Sequence, residues 1–179
     1  RKAGQEQWST LGTGFNDASF ATTVAYGKLY VGGFFTTAGG KNCRRIASWN
    51  GAVWDSLGVG LSGLVTLIEP MIWDGENGLL IGGYFTSAVS KGVTLSCSGL
   101  VFWSVDSSKY KLYKGLTTAN GTIPVYKYLV DANGWEYFLG GFGKMMRAGT
   151  DTATSYGICR FKTGVGLQNI GTGVRGDQN

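Results

Sequence analysis

An all-β fold assembled from three tandem four-stranded modules is predicted by three observations on this 179-residue chain. The first is recurrence. Leu29-Tyr-Val-Gly-Gly-Phe-Phe-Thr-Thr-Ala38, Leu79-Leu-Ile-Gly-Gly-Tyr-Phe-Thr-Ser-Ala88 and Tyr137-Phe-Leu-Gly-Gly-Phe-Gly143 are versions of one segment, and self-similarity at a period of roughly 50 residues marks an array of small β modules. The second is the alternation of strand-length apolar runs with turn-forming pairs. The third is composition, with 43% hydrophobic residues, 13% aromatics spread along the runs and 31 glycines.

In the first unit Phe20–Tyr26 leads through Gly27-Lys28 into Leu29–Phe35, two apolar runs joined by a turn-prone pair. A polar loop, Thr36–Asn42, precedes Ile46–Trp49. Asn50-Gly51 then supplies a turn whose central residues take positive φ, and Val53–Gly58 forms the fourth strand. The second unit repeats this order with Val65–Trp73, the turn Asp74–Gly78, Leu79–Phe85, Leu100–Trp103 and Tyr110–Tyr113. The third gives Val125–Val130, the turn Asp131–Gly134, Trp135–Phe142, Gly157–Phe161 and Leu167–Gly173.

Four antiparallel strands per unit is the make-up of a propeller blade. The chain is therefore expected to be a single propeller-like domain over 1–179, with repeats at 16–61, 62–116 and 117–174 and with 8–15 as the outer strand of a preceding blade. The paired glycines are explained mechanically: without a Cβ they let one strand bulge or a neighbouring backbone approach closely. A phosphate-cradling role for Gly32-Gly33 is rejected, because no amphipathic helix follows.

Residues 29–60 resemble kelch-like propeller repeats, in the variant reading Gly-Gly, Phe-Thr-x-Ala-Gly-Gly, Ile-Ala-x-Trp-Asn-Gly and Trp-x-x-Leu-Gly-x-Gly. The second unit lacks the Gly-Gly of the loop and carries Tyr110 for the fourth-strand Trp; the third keeps Leu139-Gly140-Gly141 and Leu167–Gly173. The resemblance implies bacterial secreted or surface proteins and phage or viral structural proteins, usually without catalytic assignment. An extracellular, cell-surface or virion location follows from that resemblance alone.

Closed propellers need typically four to eight blades, and three units fall short. Trp8–Gly14 and Leu167–Gly173 both carry the fourth-strand signature, so one such strand is surplus. Two explanations stand: the chain is a piece of a longer polypeptide, as its start at Arg1 suggests, or blades from several chains assemble. Other copies, or other blades of the same parent protein, are thus the first expected partners. No run approaches the eighteen or so apolar residues of a membrane helix, so membrane insertion is not expected and any secretion leader is placed upstream.

Lys and Arg exceed Asp and Glu by 16 to 11, and the tight basic cluster is Lys41 with Arg44-Arg45. Nucleic acid would ask for a basic stripe interleaved with exposed aromatics, whereas Tyr30, Phe34, Trp49, Phe102 and Trp103 are read as buried strand residues. The basic loop is instead a candidate for acidic patches or anionic glycans. Trp8, Trp54, Tyr110 and Trp135, at strand ends, are candidates for stacking on a sugar, with inter-blade packing as the competing role.

Catalytic chemistry finds no constellation in the sequence. Histidine, the usual general base for Ser or Cys nucleophiles, is absent; the eleven carboxylates are scattered, and nothing in the sequence brings Asp17, Glu69, Glu76, Asp106, Asp131 and Glu136 together across a cleft. Neither a metal nor a cofactor is expected, since there is no Cys-x-x-Cys pair and no acidic loop of calcium spacing. Cys43 and Cys97 each stand six residues before a third-strand Trp, at equivalent places in adjacent blades. Sheets stack about 10 Å apart, beyond the roughly 7 Å reach of a disulfide, so no bridge is expected there. Asn120-Gly121-Thr122 is a sequon that reads equally as a turn.

Two functional classes remain: a structural or adhesion module of an extracellular or virion assembly, and a lectin-like glycan-binding module. Loops 36–45, 86–98 and 143–156 differ in length and chemistry. That divergence favours the structural class, because repeat lectins tend to keep the same contacts in every copy.

Overall fold

A computed structural model describes residues 9–118, 124–142, 144–147, 152–154 and 156–171, and the described residues contain strands and turns but no helix. The first unit runs β1 (Ser19–Ala25), β2 (Lys28–Gly33), β3 (Thr37–Ala38), β4 (Lys41–Asn42), β5 (Ile46–Trp49) and β6 (Trp54–Ser56). The second runs β7 (Gly60–Leu61), β8 (Val65–Trp73), β9 (Glu76–Gly83), β10 (Ser87–Ser90), β11 (Val93–Ser96), β12 (Leu100–Ser104) and β13 (Lys109–Lys111). The third runs β14 (Leu116–Thr118), β15 (Val125–Val130), β16 (Glu136–Gly140), β17 (Met145–Arg147), β18 (Thr152–Ala153), β19 (Ile158–Lys162) and β20 (Gly166–Asn169).

Each unit builds one four-stranded antiparallel meander, in the orders β1-β2-β5-β6, β8-β9-β12-β13 and β15-β16-β19-β20, and none of these sheets closes on itself. Apolar alternation explains the layering. Tyr30, Ile46, Val65, Ile68, Leu79 and Ile81 fill the space between the first and second sheets. Leu80, Phe102, Val125, Phe138 and Phe161 fill the next. Complete burial of such side chains contributes about 1.5–3 kcal/mol each, so these two interlayers hold the units together. On the far side of the first sheet, Val31, Ala47 and Trp54 pack with Phe15.

The segments expected as polar loops before each third strand are small hairpins, β3–β4, β10–β11 and β17–β18. The short segment that follows the preceding sheet's fourth strand joins them. β7 pairs with β10 and β14 with β17, and Phe15 makes an isolated bridge to Ala38. Residues 9–14, the described part of the expected leading strand, form a turn and no strand. That turn is left-handed at Gly12 and Gly14, φ 62° and 72°, as is the turn at Gly58 and Gly60, φ 63° and 105°. The recurrent Leu-Gly-x-Gly signature is thus a backbone requirement, since L side chains avoid this region.

The glycines at the ends of the second strands have a steric cause. The first strand of every sheet carries one extra residue opposite them, a β-bulge at Phe20, Thr66 or Tyr126. A Cβ on Gly33, Gly83 or Gly140 would lie 2.0–2.2 Å from the carbonyl oxygen of Ala18, Leu64 or Pro124. The neighbouring glycines face the next sheet: a Cβ on Gly32 would stand 2.3 Å from Val65 Cγ1, and one on Gly82 2.6 Å from the Val125 carbonyl.

The third unit departs from the sequence alignment by one residue. Gly140, opposite Val125, holds the place of Gly33 and Gly83, so Leu139 holds that of Gly32 and Gly82. Gly140-Gly141 is therefore not the counterpart of Gly32-Gly33.

Candidate interaction surface

Where each first strand begins and each second strand ends, the bulges and the glycines push aromatic rings outward. Phe34 and Tyr84 follow the Gly-Gly pairs and donate their N–H groups to the carbonyls of Ala18 and Leu64. That leaves each ring on the outside, 48% and 39% exposed, while the next residue, Phe35 or Phe85, takes the core position. Phe20 and Tyr126 occupy bulge positions and are likewise exposed. The sheets stand side by side at this end, since Thr66 Oγ1 donates to the carbonyl of Val125 at 3.2 Å. Tyr84 and Tyr126 touch, with ring centroids 6.4 Å apart, and together with Phe20 and Phe34 at the same end of the first sheet they make up an aromatic edge.

Polar groups are interleaved with it. The hydroxyls of Tyr84 and Tyr126 share a 2.6 Å hydrogen bond between the second and third sheets. That bond, with burial second, pushes the Tyr126 hydroxyl up to about 12. The Arg45 guanidinium lies 4.5 Å from the centre of the Phe34 ring and donates to the Phe34 carbonyl. Such an edge offers flat apolar faces, one cation and two hydroxyls, the groups that anchor protein interfaces.

Phe34 was expected inside. Alternation alone does not expose a ring in a stack of sheets, since the consecutive Leu79, Leu80 and Ile81 are all buried; Phe34 and Tyr84 are outside because they lie just past the ends of β2 and β9.

The residues singled out by sequence are dispersed. Trp8 and the sequon at 120–122 lie outside the described residues. Trp54 is buried, with Nε1 donating to the Leu11 carbonyl at 2.8 Å. Tyr110 is buried as well, its hydroxyl 2.7 Å from the Leu57 carbonyl. Both tie a fourth strand to the turn ending the preceding unit, which leaves neither ring a free face for a sugar. Trp135 is half-buried under the Arg160 guanidinium, 4.0 Å from its ring. Lys41 pairs with Asp55 at 3.3 Å in solvent, and Arg44 is exposed in the bridge to Gly60. Arg45 alone of the basic cluster reaches the aromatic edge.

The carboxylates are engaged separately. Glu69 pairs with Lys127, Glu76 with Lys111 and Glu136 with Lys114; Asp106 caps Asn77, and Asp131 closes the turn to Trp135. The Lys111 ammonium holds Glu76 below the usual carboxylate range, and the Trp135 N–H does the same for Asp131. Glu136 is buried with both oxygens satisfied, by Lys114 and by the Tyr113 hydroxyl at 2.7 Å. Among the described residues, no three His, Cys, Asp or Glu side chains group as metal ligands. Cys43, Cys97 and Cys159 are unpaired and buried, each in a different apolar cluster.

Comparison with protein families, with curated proteins and with solved structures finds no match to this chain.

Proposed function

We propose that the chain is a non-enzymatic structural and adhesion module, three blades of a kelch-like propeller, that attaches to protein partners at the aromatic edge. The observation carrying this reading is the edge itself: Phe20, Phe34, Tyr84 and Tyr126 are exposed at the same end of the three sheets. Contiguous exposed apolar surface marks interaction sites, and the touching Tyr84 and Tyr126 rings are its centre here. The interlayers beneath supply a rigid base. An extracellular or virion setting fits this role and rests on the repeat resemblance.

A second reading, a lectin-like module, draws on the Tyr84–Tyr126 pair, where two hydroxyls and two ring faces converge. Unit-to-unit variation opposes it. The bulge residue is Phe20, Thr66 or Tyr126, and the residue after the second glycine is Phe34, Tyr84 or Gly141.

The test places a photo-crosslinking amino acid at position 84 in the producing cell or particle, with position 165, exposed on a turn away from the edge, as control. A protein adduct from position 84 and none from position 165 supports attachment through the edge. Equal yields from both overturn it. Binding on a glycan array that is lost on Tyr84→Ala would transfer the role to the lectin reading.

A further inference from the structure

We propose that Tyr84 and Tyr126 are an oxidative coupling site, at which a one-electron oxidant, a haem peroxidase with hydrogen peroxide, joins the two rings as dityrosine and staples the second sheet to the third. The residues come from neighbouring sheets, Tyr84 just past the end of β9 and Tyr126 within β15. Their hydroxyls stand 2.6 Å apart and their ring centres 6.4 Å apart, and both rings are exposed, so an oxidant in solution reaches either. Backbone pairing fixes both. Tyr84 donates its N–H to the Leu64 carbonyl at 2.8 Å, and Tyr126 is the bulge residue between Val125 and Lys127, which pair with Gly140 and Leu139. Beside it Thr66 Oγ1 holds the Val125 carbonyl, which keeps the two sheets at this spacing.

A hydrogen bond between two phenols prepares the reaction. When one ring loses an electron its hydroxyl becomes acidic, and the neighbouring oxygen takes the proton while passing its own to water. Oxidation of the second ring leaves two phenoxyl radicals side by side. The carbons flanking each hydroxyl carry part of the unpaired electron and lie around the shared bond, so proximity favours coupling within the pair over coupling with another molecule. One carbon–carbon bond forms from the two unpaired electrons. Each joined carbon then releases its hydrogen as a proton and each oxygen regains one, which restores both phenols. In all the rings lose two electrons and two protons, and these reduce one peroxide to two waters. The rings are inclined at 63°, and a biphenol is itself twisted because its hydroxyls would clash if the rings lay flat.

Cysteine supplies no such tie. Cys43, Cys97 and Cys159 are free and buried in three different clusters, so no disulfide joins one sheet to the next. A second tyrosine pair gives the contrast. Tyr113 and Tyr128 bring their hydroxyls to 3.5 Å, but Tyr113 is buried and donates its hydroxyl hydrogen to Glu136 at 2.7 Å.

The test oxidises the full chain at low concentration with a peroxidase and peroxide, then digests it with trypsin. Tyr84 is the single tyrosine of peptide 46–91, and Tyr126 that of peptide 115–127. These peptides are expected joined and lighter by two hydrogens than their sum, from a chain that keeps single-chain mass on a denaturing gel. Tyr84→Phe and Tyr126→Phe, which retain the rings, should each abolish the joined peptide. Unfolding the chain in urea before oxidation should scatter the links over other tyrosines. The linked chain should melt at a higher temperature than the untreated one, because the link closes a loop in the unfolded chain. Oxidised tyrosines without the joined peptide, links that fall mainly between copies, a yield unchanged by unfolding, or a linked chain that melts no higher would overturn the site. A chain that couples in this way yet gives no adduct from position 84 in its native setting keeps the coupling site and loses the attachment reading.

Discussion

Gly82→Ala isolates the claim that the second and third sheets meet backbone to backbone. Gly82 has an ordinary strand φ, where replacing glycine by alanine stabilises a protein by about 0.4–1 kcal/mol through the unfolded state. The structure predicts the opposite sign. The added Cβ would stand 2.6 Å from the Val125 carbonyl oxygen and 3.1 Å from Leu67 Cβ. Ordinary contact begins at 3.4 Å, so the third sheet must withdraw by about 0.8 Å. Retreat also strains the bond from Thr66 Oγ1 to the same carbonyl. Overpacking of this kind costs about 1–3 kcal/mol, and a chain of this length loses roughly 2–4 °C in Tm per kcal/mol. Differential scanning calorimetry should therefore show a fall of roughly 4–8 °C for a cost of about 2 kcal/mol. An unchanged or raised Tm would refute the close approach.

Further outcomes follow from individual groups. Tyr110→Phe leaves the Leu57 carbonyl without its 2.7 Å donor and should cost about 1–3 kcal/mol in urea denaturation; no loss would mean the tie between the first and second units is not made. Burial pushes the Cys97 and Cys159 thiols up to about 12, and burial foremost raises Cys43 as well. No thiol should react with a chromogenic disulfide at pH 8 until the chain is denatured, whereupon all three should react; prompt labelling of the native protein would contradict the burial. Tyr126, raised to about 12, contributes stability that is fully present below the unfolded value of about 10 and is lost as pH rises through the folded one. Stability measured from pH 9 to 12 should fall less steeply in Tyr126→Phe than in wild type, and identical slopes would count against the Tyr84–Tyr126 bond.

The strand grammar was legible because hairpin turns have local chemistry. Asn50-Gly51 and Asp131–Gly134 mark their turns without help from the rest of the fold, and three meanders emerged in the expected order; of the first pair only Gly51 takes the expected positive φ, 100°, while the Asn50 side chain accepts from the N–H groups of Ala52 and Val53. The hairpins β3–β4, β10–β11 and β17–β18 were not legible, since strands of only two to four residues pair there with a strand or bridge from the segment before each sheet laid beside them. The one-residue offset of the third unit was hidden for a related reason. Gly140-Gly141 copies the motif, but which glycine opposes the bulge is decided by register. Among the site residues, Trp54 and Tyr110 looked like strand-end rings, and their donation to the carbonyls of Leu11 and Leu57 is a contact across more than forty residues. The exposure of Phe34 and Tyr84 follows from their places just past the ends of β2 and β9. Where those strands end depends on pairing that sequence does not display.

The stacking of consecutive sheets, glycine under valine, is tested most directly by a double-mutant cycle on Gly32 and Val65, measured by chemical denaturation. Gly32→Ala alone brings a Cβ within 2.3 Å of Val65 Cγ1, and Val65→Gly alone empties the site; each should destabilise. Together the small residues exchange places, and the double variant should be more stable than the sum of the two losses allows, with a coupling of about 0.5–3 kcal/mol. Additive losses would mean that the two residues do not meet and that the sheets do not stack in this register.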